Sequence, residues 1–182
     1  IDPEGWFDSG DLGWVTQEGD LTITGRAKDT IVLTNGENIE PQPIEDACVR
    51  SPYIDQIMLV GQDQKSLGAL VVPNLDALGQ WAASQNRALA LPEGIPLPES
   101  ASVPPGTPPL ALEDDAIQTL FRQELNREVK NRPGYRPDDR IGPFELVLEP
   151  FSIENGMLTQ TLKIRRAVVT QRYSGMIDAM FH

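Results

Sequence analysis

The sequence predicts an α+β fold, in which short antiparallel strands pack with a few helices. Three observations favour it: apolar residues alternate with polar ones in short runs, glycine-containing turns separate those runs, and one long segment repeats apolar residues at helical spacing. Hydrophobic residues make up 40% of the 182 residues and charged residues 23%, which is typical of a globular protein with a buried core.

Two hairpins are predicted in the first quarter of the chain. The segment LGWVTQEGDLTITGR forms two short strands joined at Glu18-Gly19, with apolar residues and threonines alternating in the second strand. The segment DTIVLTNGENIEP repeats this pattern around Asn35-Gly36, a dipeptide in which both residues tolerate positive φ. Each hairpin contributes a pair of antiparallel strands.

The next segments predict helices around an apolar strand pair. PIEDACVRS is a short helix with Pro43 in its first turn and acidic residues near its positive end. DQIMLVGQ and LGALVVPN are apolar strands that we expect to be antiparallel neighbours, and LDALGQWAASQ is a helix.

Residues 91–110 differ in composition from the rest of the chain, because seven of the twenty are proline. Proline lacks an amide donor and blocks helix formation, so we expect an irregular, extended insertion that loops out of a compact domain. Deletion of most of these residues should then leave the domain folded.

The last third predicts a long helix, a core strand and a terminal helix. EDDAIQTLFRQELNREVKNR has acidic residues at its start and basic residues at its end, as the helix dipole favours. Its apolar face consists of Ile117, Leu120, Phe121, Leu125 and Val129. PFELVLEP is a core strand, TQTLKIRR is a basic segment, and AVVTQRYSGMIDAMF is a single terminal helix.

The charge of the chain is negative and unevenly distributed. The net charge of −12 argues against nucleic acid as a partner. Residues 1–118 hold five Lys/Arg and nineteen Asp/Glu, whereas residues 119–182 hold ten and eight. The C-terminal third is therefore the place for a phosphate or an acidic partner, and the alternative is a set of solvated faces. Six basic residues cluster around the long helix and its exit: Arg122, Arg127, Lys130, Arg132, Arg136 and Arg140.

The composition also bears on location and on metal or thiol chemistry. No apolar run could span a bilayer and no basic-then-apolar leader opens the chain, so we expect neither a transmembrane segment nor a secretory signal. Cys48, the single cysteine, indicates a reducing, cytosolic setting. It lies on the apolar side of a predicted helix, so we interpret it as a core residue rather than a nucleophile. We predict no metal site.

Three motifs carry more than fold information. GWFDSGDLGW presents the Asp11 carboxylate, which can accept two hydrogen bonds and suits a ribose diol, although an aspartate in such a turn commonly only shapes the turn. The other motifs are GRAKDTIVLTNGENIEPQPIE and LTQTLKIRR. In this order the three resemble the C-terminal motifs of adenylate-forming enzymes, which include acyl-CoA synthetases, luciferases and peptide-synthetase adenylation domains. The resemblance is closest to long-chain fatty-acid CoA ligases and acyl-acyl-carrier-protein synthetases.

This resemblance implies that the chain is part of a larger enzyme. Residues 1–26 would be the tail of the large AMP-binding domain with its β-hairpin. Residues 27–182 would be a small C-terminal lid domain of short antiparallel sheets and helices, with the proline-rich insertion at about 91–110. The family's phosphate-binding loop and acyl pocket are absent from this sequence, so we expect the fragment alone to be inactive and to hold no cofactor.

The resemblance also implies roles for five residues. Asp11 matches the aspartate that binds the ribose hydroxyls of ATP and AMP, and Arg26 matches an arginine that reaches the nucleotide. Lys28 matches the hinge about which the small domain rotates between two half-reactions. Gly36 matches the glycine that lines the pantetheine tunnel, and Lys163 matches the catalytic lysine that stabilises charge during adenylation.

One departure from the family pattern precedes the catalytic position. Much of the superfamily has glycine immediately before the lysine, where this chain has Leu162, as members of the long-chain branch commonly do. Arg165 and Arg166 would compete for the role of Lys163 only if the register of the motif slipped. Their alternative is a solvated basic strand edge.

By the same resemblance, the full-length enzyme would be an AMP-forming acid–thiol ligase. It would activate a long-chain fatty acid with ATP and Mg²⁺, release pyrophosphate, and transfer the acyl group to the pantetheine thiol of CoA or acyl carrier protein. We expect it to be cytoplasmic, with peripheral membrane contact left open. Two alternatives remain: an adenylate-forming ligase with another acid or acceptor, and a non-catalytic binding module.

Overall fold

The structure is a computed structural model that describes residues 3–101 and 103–182. Ile1 and Asp2, which begin the predicted tail of the large domain, and Ser102, in the proline-rich segment, lie outside the described residues. Within the described ranges the chain forms nine strands and five α-helices, and the predicted α+β class is confirmed.

Both predicted hairpins are present. β1 (Asp11–Val15) pairs antiparallel with β2 (Leu21–Arg26). A 3-10 turn at Ala27–Asp29 then leads into β3 (Ile31–Val32), which pairs antiparallel with β4 (Asn38–Ile39).

The five helices are amphipathic or short. They are α1 (Pro41–Cys48), α2 (Leu75–Ser84), α3 (Asp115–Lys130), α4 (Arg166–Arg172) and α5 (Ser174–Met180). The first helix begins two residues before Pro43, because Pro41 occupies its first turn, where no backbone donor is needed. Helix α3 buries the apolar face that the sequence predicted, although Leu120 on that face is only partly buried. None of the helices in the described ranges is long and apolar enough to cross a membrane.

A three-stranded sheet lies at the centre of the chain. β5 (Ile54–Val60) is antiparallel to β6 (Leu67–Pro73), as predicted. All seven residues of β6 are buried, because helices cover both faces of the sheet. One face packs against α1, α2 and α3, and the other packs against α4 and α5. The near-continuous apolar run LGALVVP reflects this two-sided burial.

The strand pairing corrects one part of the predicted fold. β6 pairs in parallel with β9 (Ile141–Leu146), and β7 (Ala88–Ala90) pairs in parallel with β8 (Pro109–Ala111). The β5–β6–β9 sheet is therefore mixed and the β7–β8 pair is parallel, whereas the prediction was antiparallel throughout. The physical reason is the length of the connections, because the chain between β6 and β9 is long enough to cross over and return in the same direction.

The terminal segment is two helices rather than the predicted single one. The break falls at Tyr173, which adopts φ −106° and ψ 20°, outside the α-helical region. Both α4 and α5 pack on the sheet, through Val169 and Ile177 respectively. The break at Tyr173 allows the two helices to differ in direction, and each of them contributes an apolar residue to the same face of the sheet.

The proline-rich segment is irregular over most of its length, but the prediction that it loops out of the domain is wrong. Ala101 is 8% exposed and Leu110 is 1% exposed, and both belong to the main apolar cluster. Ala101 packs so closely on α2 that a Cβ at Gly79 would lie 2.6 Å from the Cβ of Ala101. Proline prevents helix formation, but it does not prevent burial of the residues between the prolines.

We expect substitution within this segment to discriminate buried from exposed positions. Leu110→Ala should lower the free energy of unfolding by about 2–5 kcal/mol, because it removes a fully buried side chain and leaves a cavity. The matched control is Leu97→Ala, in the same segment at 57% exposure, which should stay within about 0.5 kcal/mol. Chemical denaturation of the 182-residue chain measures both changes in the free energy of unfolding. Equal changes in the two variants would support the original prediction of a looped-out insertion.

Candidate functional site

A cavity of about 620 Å³ brings together three of the five predicted site residues. Asp11, Arg26 and Lys163 all line it, although they come from opposite ends of the chain. The β1–β2 hairpin forms one wall, one side of α1 and the start of β5 form another, and the segment around Lys163 forms a third. Asp29, Glu40, Glu45, Asp46, Asp55 and Arg166 also line it, so the described residues place six carboxylates and three cations around a cavity large enough for a nucleotide.

Asp11 and Arg26 are neighbours on the hairpin wall. They are directly opposite in the antiparallel pairing of β1 and β2, and the Arg26 Nε lies 3.2 Å from the Asp11 Oδ1. The Asp11 side chain is 30% exposed and the Arg26 side chain 59%, so both remain accessible from the cavity. A cross-strand ion pair of this exposure contributes little to stability, which leaves both groups available to a ligand.

The turn before Asp11 is shaped by other residues. The Asp8 Oδ1 accepts the Gly10 N–H at 2.8 Å, and the Ser9 Oγ accepts the Asp11 N–H at 3.2 Å. The turn-shaping role that an aspartate commonly has in such a segment therefore belongs to Asp8. The Asp11 carboxylate faces the cavity instead.

Lys163 follows a tight turn between Leu158 and Ile164, which form an isolated antiparallel bridge. The Leu162 N–H donates to the Thr159 carbonyl at 2.9 Å, and the Thr159 N–H donates to the Lys163 carbonyl at 2.8 Å. The lysine side chain is exposed, and no carboxylate in residues 3–101 or 103–182 forms an ion pair with it. Its ammonium is therefore free to meet an anionic ligand.

Leu162 adopts a backbone conformation that leucine seldom takes. Its φ is +60°, in the left-handed region. The turns at Gly19 and Gly36 have the same pair of backbone hydrogen bonds, and in each the corresponding residue is a glycine with positive φ. This hairpin turn ordinarily requires glycine at the left-handed position. The departure at Leu162 thus keeps the turn and accepts backbone strain, so it does not disturb the register of Lys163.

We expect Leu162→Gly to relieve this strain. The left-handed conformation costs a non-glycine residue about 1–2 kcal/mol, and glycine's larger unfolded-state entropy offsets about 0.4–1 kcal/mol of that gain. Because the Leu162 side chain is 69% exposed, little burial is lost, and the free energy of unfolding should rise by up to about 1 kcal/mol. Leu162→Ala is the control, since alanine bears the same strain and should show no gain. A stability loss in the glycine variant would mean that the leucine side chain makes a necessary contact.

Both arginines that follow the lysine have protein partners, although Arg166 also lines the cavity. The Arg166 Nη2 lies 2.5 Å from the Glu45 Oε2, and its Nη1 donates to the Leu59 carbonyl at 3.3 Å. The Arg165 Nη1 donates to the Gly156 carbonyl at 3.1 Å. Of these three cations, Lys163 is the one that lines the cavity without an ion pair or side-chain hydrogen bond to another described residue.

Glu45 is a cavity residue to which the sequence analysis assigned no role, although it ends the second motif. It is 4% exposed, and its Oε1 accepts the Leu59 N–H at 2.7 Å. Burial raises the pKa of this carboxyl above its ordinary value, while Arg166 and the Leu59 N–H act in the opposite direction. The Glu45–Arg166 pair ties the segment after Lys163 to α1 and β5, and so fixes the third wall of the cavity.

The remaining two predicted residues lie outside the cavity. Lys28 is exposed in the 3-10 turn Ala27–Asp29, directly after β2. Gly36 lies at the tip of the β3–β4 hairpin with φ +86°, and a Cβ built on it would meet no atom within 4 Å. The structure therefore separates the predicted hinge and tunnel residues from the residues of the cavity.

The basic cluster around α3 is partly neutralised. Arg127 pairs with Glu124 at 2.6 Å and with Glu128 at 2.8 Å, and Glu124 is itself buried and accepts the Ser51 hydroxyl at 2.6 Å. Arg122 lies over the ring of Phe144, with 5.2 Å between the guanidinium carbon and the ring centroid. Arg132 and Arg136 both pair with the buried Asp139. The available charge is therefore smaller than the sequence suggests.

Neither thiol nor metal chemistry is supported by the described residues. Cys48 is fully buried, and burial raises its pKa to about 12, so the reactive thiolate is suppressed at neutral pH. The interpretation of Cys48 as a core residue is confirmed. In the described part of the chain, no group of three His, Cys, Asp or Glu side chains is positioned to hold a metal ion.

The sequence is similar to known enzymes over its whole length. Residues 28–90 match the family model of the AMP-binding enzyme C-terminal domain. The chain is 37% identical to the probable acyl-activating enzyme 16 of Arabidopsis thaliana and 34% identical to the long-chain-fatty-acid–[acyl-carrier-protein] ligase AEE15 of the same plant, both described as chloroplastic. It is 31% identical, over 98% of its length, to the long-chain-fatty-acid–CoA ligase FadD15 of Mycobacterium tuberculosis. The chain spans 24%, 22% and 27% of these relatives, about a quarter of their length.

The fold recurs in solved structures of lower identity. The A domain of the carboxylic acid reductase from Segniliparus rugosus, in complex with AMP and a co-purified carboxylic acid, matches with a TM-score of 0.76 at 22% identity. The match covers 100% of this chain and 24% of that chain. The O-succinylbenzoate coenzyme A synthetase of Bacillus subtilis, in complex with AMP, covers 91% of this chain and 24% of its own, with a TM-score of 0.52 at 18% identity. These likenesses confirm the fold.

Proposed function

We propose a function from the premise that this chain contains the C-terminal domain of an AMP-binding enzyme. The chain is the C-terminal part of an ATP-dependent long-chain fatty acid ligase. In the first half-reaction the fatty acid carboxylate attacks the α-phosphate of ATP, which forms the acyl-adenylate and releases pyrophosphate. In the second, a pantetheine thiol attacks the acyl carbon, which forms the thioester and releases AMP. The chain alone lacks the rest of the enzyme and is inactive.

One observation carries this proposal: Asp11, Arg26 and Lys163 line the same cavity. A carboxylate with two acceptor oxygens suits the ribose hydroxyls of ATP, and Arg26 beside it suits an anionic nucleotide. Lys163 supplies a compact cation on a flexible stem, which stabilises the negative charge that builds up on the α-phosphate and carboxylate oxygens. The Mg²⁺ that accompanies ATP enters with the substrate.

The second half-reaction uses a different part of the chain. Lys28, in the turn between the hairpin and the rest of the chain, is the hinge that absorbs the rotation between the two steps. Rotation brings the Gly36 turn to the thiol acceptor, and the absence of a side chain there lets the pantetheine arm approach the backbone. On this proposal, the arrangement in which Lys163 and Asp11 line the same cavity is the adenylating one.

The fatty acid and the acceptor are supported by the relatives. One is named for a CoA product and another for an acyl-carrier-protein product, and both names specify long-chain fatty acids. An adenylate-forming ligase with another acid or acceptor remains the second candidate, because the carboxylic acid reductase domain has the same fold. The cytoplasmic location and any peripheral membrane contact stay predictions, and two of the relatives are chloroplastic.

Two assays of the full-length enzyme test the function. Radiolabelled fatty acid with ATP and either CoA or holo-acyl carrier protein should give a labelled thioester, and pyrophosphate should exchange into ATP only when the fatty acid is present. Exchange without thioester formation on either acceptor would favour the second candidate. Neither reaction, with intact folding, would favour a non-catalytic binding module.

We expect the acceptor to be acyl carrier protein, on the basis of a shallow groove on the exposed side of α3. Cationic and neutral side chains line it, among them Arg122 and Lys130, and none of its lining residues in the described part of the chain is a carboxylate. Lys130→Glu combined with Gln123→Glu cancels the net positive charge of the groove lining without substituting either member of the Arg127–Glu124 pair. Transfer to carrier protein should slow about tenfold at low salt and converge with wild type at high salt, because exposed charges mainly steer encounter.

A matched control separates this groove from net charge. Lys65→Glu combined with Gln80→Glu changes the charge equally at exposed positions outside the groove, and it should leave transfer unchanged. Pyrophosphate exchange should be unaffected in both double variants. If the rate of acyl transfer changes neither with salt concentration nor with the groove substitutions, the basic residues are only a solvated helix face and do not bind the acceptor.

A further inference from the structure

The loop that follows α3 reaches back to the Gly36 turn across 103 residues of sequence. The Asn35 Nδ2, in that turn, donates to the Asp138 Oδ1 at 2.9 Å. The Arg136 Nη2 donates to the Asn38 carbonyl at 3.2 Å, and its Nη1 lies 3.5 Å from the Glu37 Oε2. Residues on both sides of Gly36 are therefore held by one loop, residues 132–140, which we call the brace.

The brace is itself anchored by a buried carboxylate. Asp139 is 1% exposed, accepts the Arg136 backbone N–H at 2.8 Å, and pairs with the guanidinium groups of Arg132 and Arg136. A 3-10 turn at Pro137–Asp139 fixes the backbone between these contacts. Contacts within the brace therefore hold the backbone of Asp138 in place, independently of its hydrogen bond with Asn35.

The Gly36 turn is held from a second direction as well. The Thr34 N–H donates to the Gln64 carbonyl at 2.9 Å, in the connection between β5 and β6. The strands of this hairpin have only two residues each, so their own ladder fixes the turn weakly. The contacts to the brace and to Gln64 therefore determine where the tip of the turn lies.

We propose that Asp138 and Arg136 are positioning residues for the thiol-transfer step. They touch neither thiol nor adenylate; they hold the Asn35–Gly36 turn at the position from which it lines the path of the pantetheine arm. The inference rests on the proposed role of Gly36. A displacement of about 1 Å at a reacting geometry costs up to about 10²-fold in rate, so a turn released from its brace slows transfer and leaves adenylation intact.

Asp138 provides the sharper test, because it is only partly buried and its loss leaves no buried charge unpaired. In the full-length enzyme supplied with a preformed long-chain acyl-adenylate, Asp138→Ala should lower kcat/KM about tenfold for the thiol acceptor that the enzyme uses, holo-acyl carrier protein or CoA, mainly through a higher KM. Pyrophosphate exchange should remain at the wild-type rate. Asp138→Asn retains an oxygen that accepts the Asn35 Nδ2–H, and it should restore transfer. Arg136→Ala should reproduce the Asp138→Ala defect.

Two further variants make the outcomes distinguishable. Arg172→Ala breaks an exposed ion pair to Glu149, outside the brace, and should leave both half-reactions unchanged. Gly36→Leu should block transfer selectively if the turn lines the thiol path. Should Gly36→Leu be selective while Asp138→Ala matches wild type, the brace has no positioning role and the proposed function stands. Should Gly36→Leu leave transfer unaffected, the proposed role of the turn fails and the inference fails with it.

Hydrogen exchange gives a readout that does not depend on activity. In Asp138→Ala, backbone amides of residues 34–38 should exchange about tenfold faster, while amides of the central sheet keep their wild-type rates. Faster exchange throughout the chain would indicate a general loss of stability and would overturn the positioning role.

Discussion

Lys163→Ala is expected to slow adenylation by about 10²–10³-fold in the full-length enzyme while transfer from a supplied acyl-adenylate stays near the wild-type rate. The ammonium has no carboxylate partner among the described residues, so it is available to the charge that develops during adenylation. Removal of one such group typically costs about 2.7–4 kcal/mol of transition-state stabilisation. Pyrophosphate exchange measures the first step, and thioester formation from synthetic acyl-adenylate measures the second.

The matched control for Lys163 lies two residues away. Arg165 is an exposed cation on the same segment, and its guanidinium contacts the Gly156 carbonyl rather than the cavity. Arg165→Ala should therefore leave both half-reactions within about twofold of wild type, as expected for a surface substitution. Normal exchange in Lys163→Ala, or an equal loss in Arg165→Ala, would remove Lys163 from its proposed role.

Lys28→Pro should have the opposite effect to Lys163→Ala, because it should slow thiol transfer and leave adenylation intact. Lys28 lies in a 3-10 turn, where φ is close to the −65° that proline imposes, so proline suits the arrangement seen here. The variant should form the adenylate at near wild-type rate. Transfer to the thiol should fall more than about tenfold, or about 1.4 kcal/mol in activation free energy, because the rotation is blocked.

A second substitution isolates the backbone effect at this position. Lys28→Ala removes the ammonium but keeps φ free, so both half-reactions should stay within a few-fold of wild type. An equal loss of both half-reactions in Lys28→Pro, or a loss in Lys28→Ala as large as that in Lys28→Pro, would count against Lys28 as the hinge.

The sequence predicted local structure well because local rules determine it. Both early hairpins, the apolar face of α3 and the pairing of β5 with β6 follow from alternation, turn residues and helical spacing. The parallel partner of β6 could not be predicted in this way. Its pairing with β9 depends on how a long connection folds back, and no short pattern encodes that.

Buried charges were the main features that the sequence did not reveal. Glu45, Glu124 and Asp139 all appear as ordinary surface residues of helices or turns, yet each is almost fully buried. The arginine partner of Glu45 is 121 residues away, so tertiary structure alone brings the two together. Glu124 and Asp139 pair with nearby arginines of the same segment, and their burial depends on how that segment packs against the rest of the chain. For Glu124 a signal was available, because it lies beside Phe121 and Leu125 on the buried face of α3.

The candidate site was predicted as separate motifs rather than as one cavity. Each motif predicted a residue type and a local conformation, and the structure then brought Asp11, Arg26 and Lys163 to one cavity. The Leu162 departure is explained by the left-handed turn, in which the backbone keeps the glycine conformation without a glycine. The five residue roles remain proposals.

A crystal structure of the full-length enzyme with a non-hydrolysable long-chain acyl-adenylate analogue tests the central claim most directly. We expect the analogue to occupy the cavity described here, with the ribose hydroxyls on the Asp11 carboxylate and the Lys163 ammonium within hydrogen-bond distance of the phosphate group. An analogue that contacts Asp11 with Lys163 directed away from it, in an enzyme that still exchanges pyrophosphate, would contradict the proposal, as would binding outside this cavity.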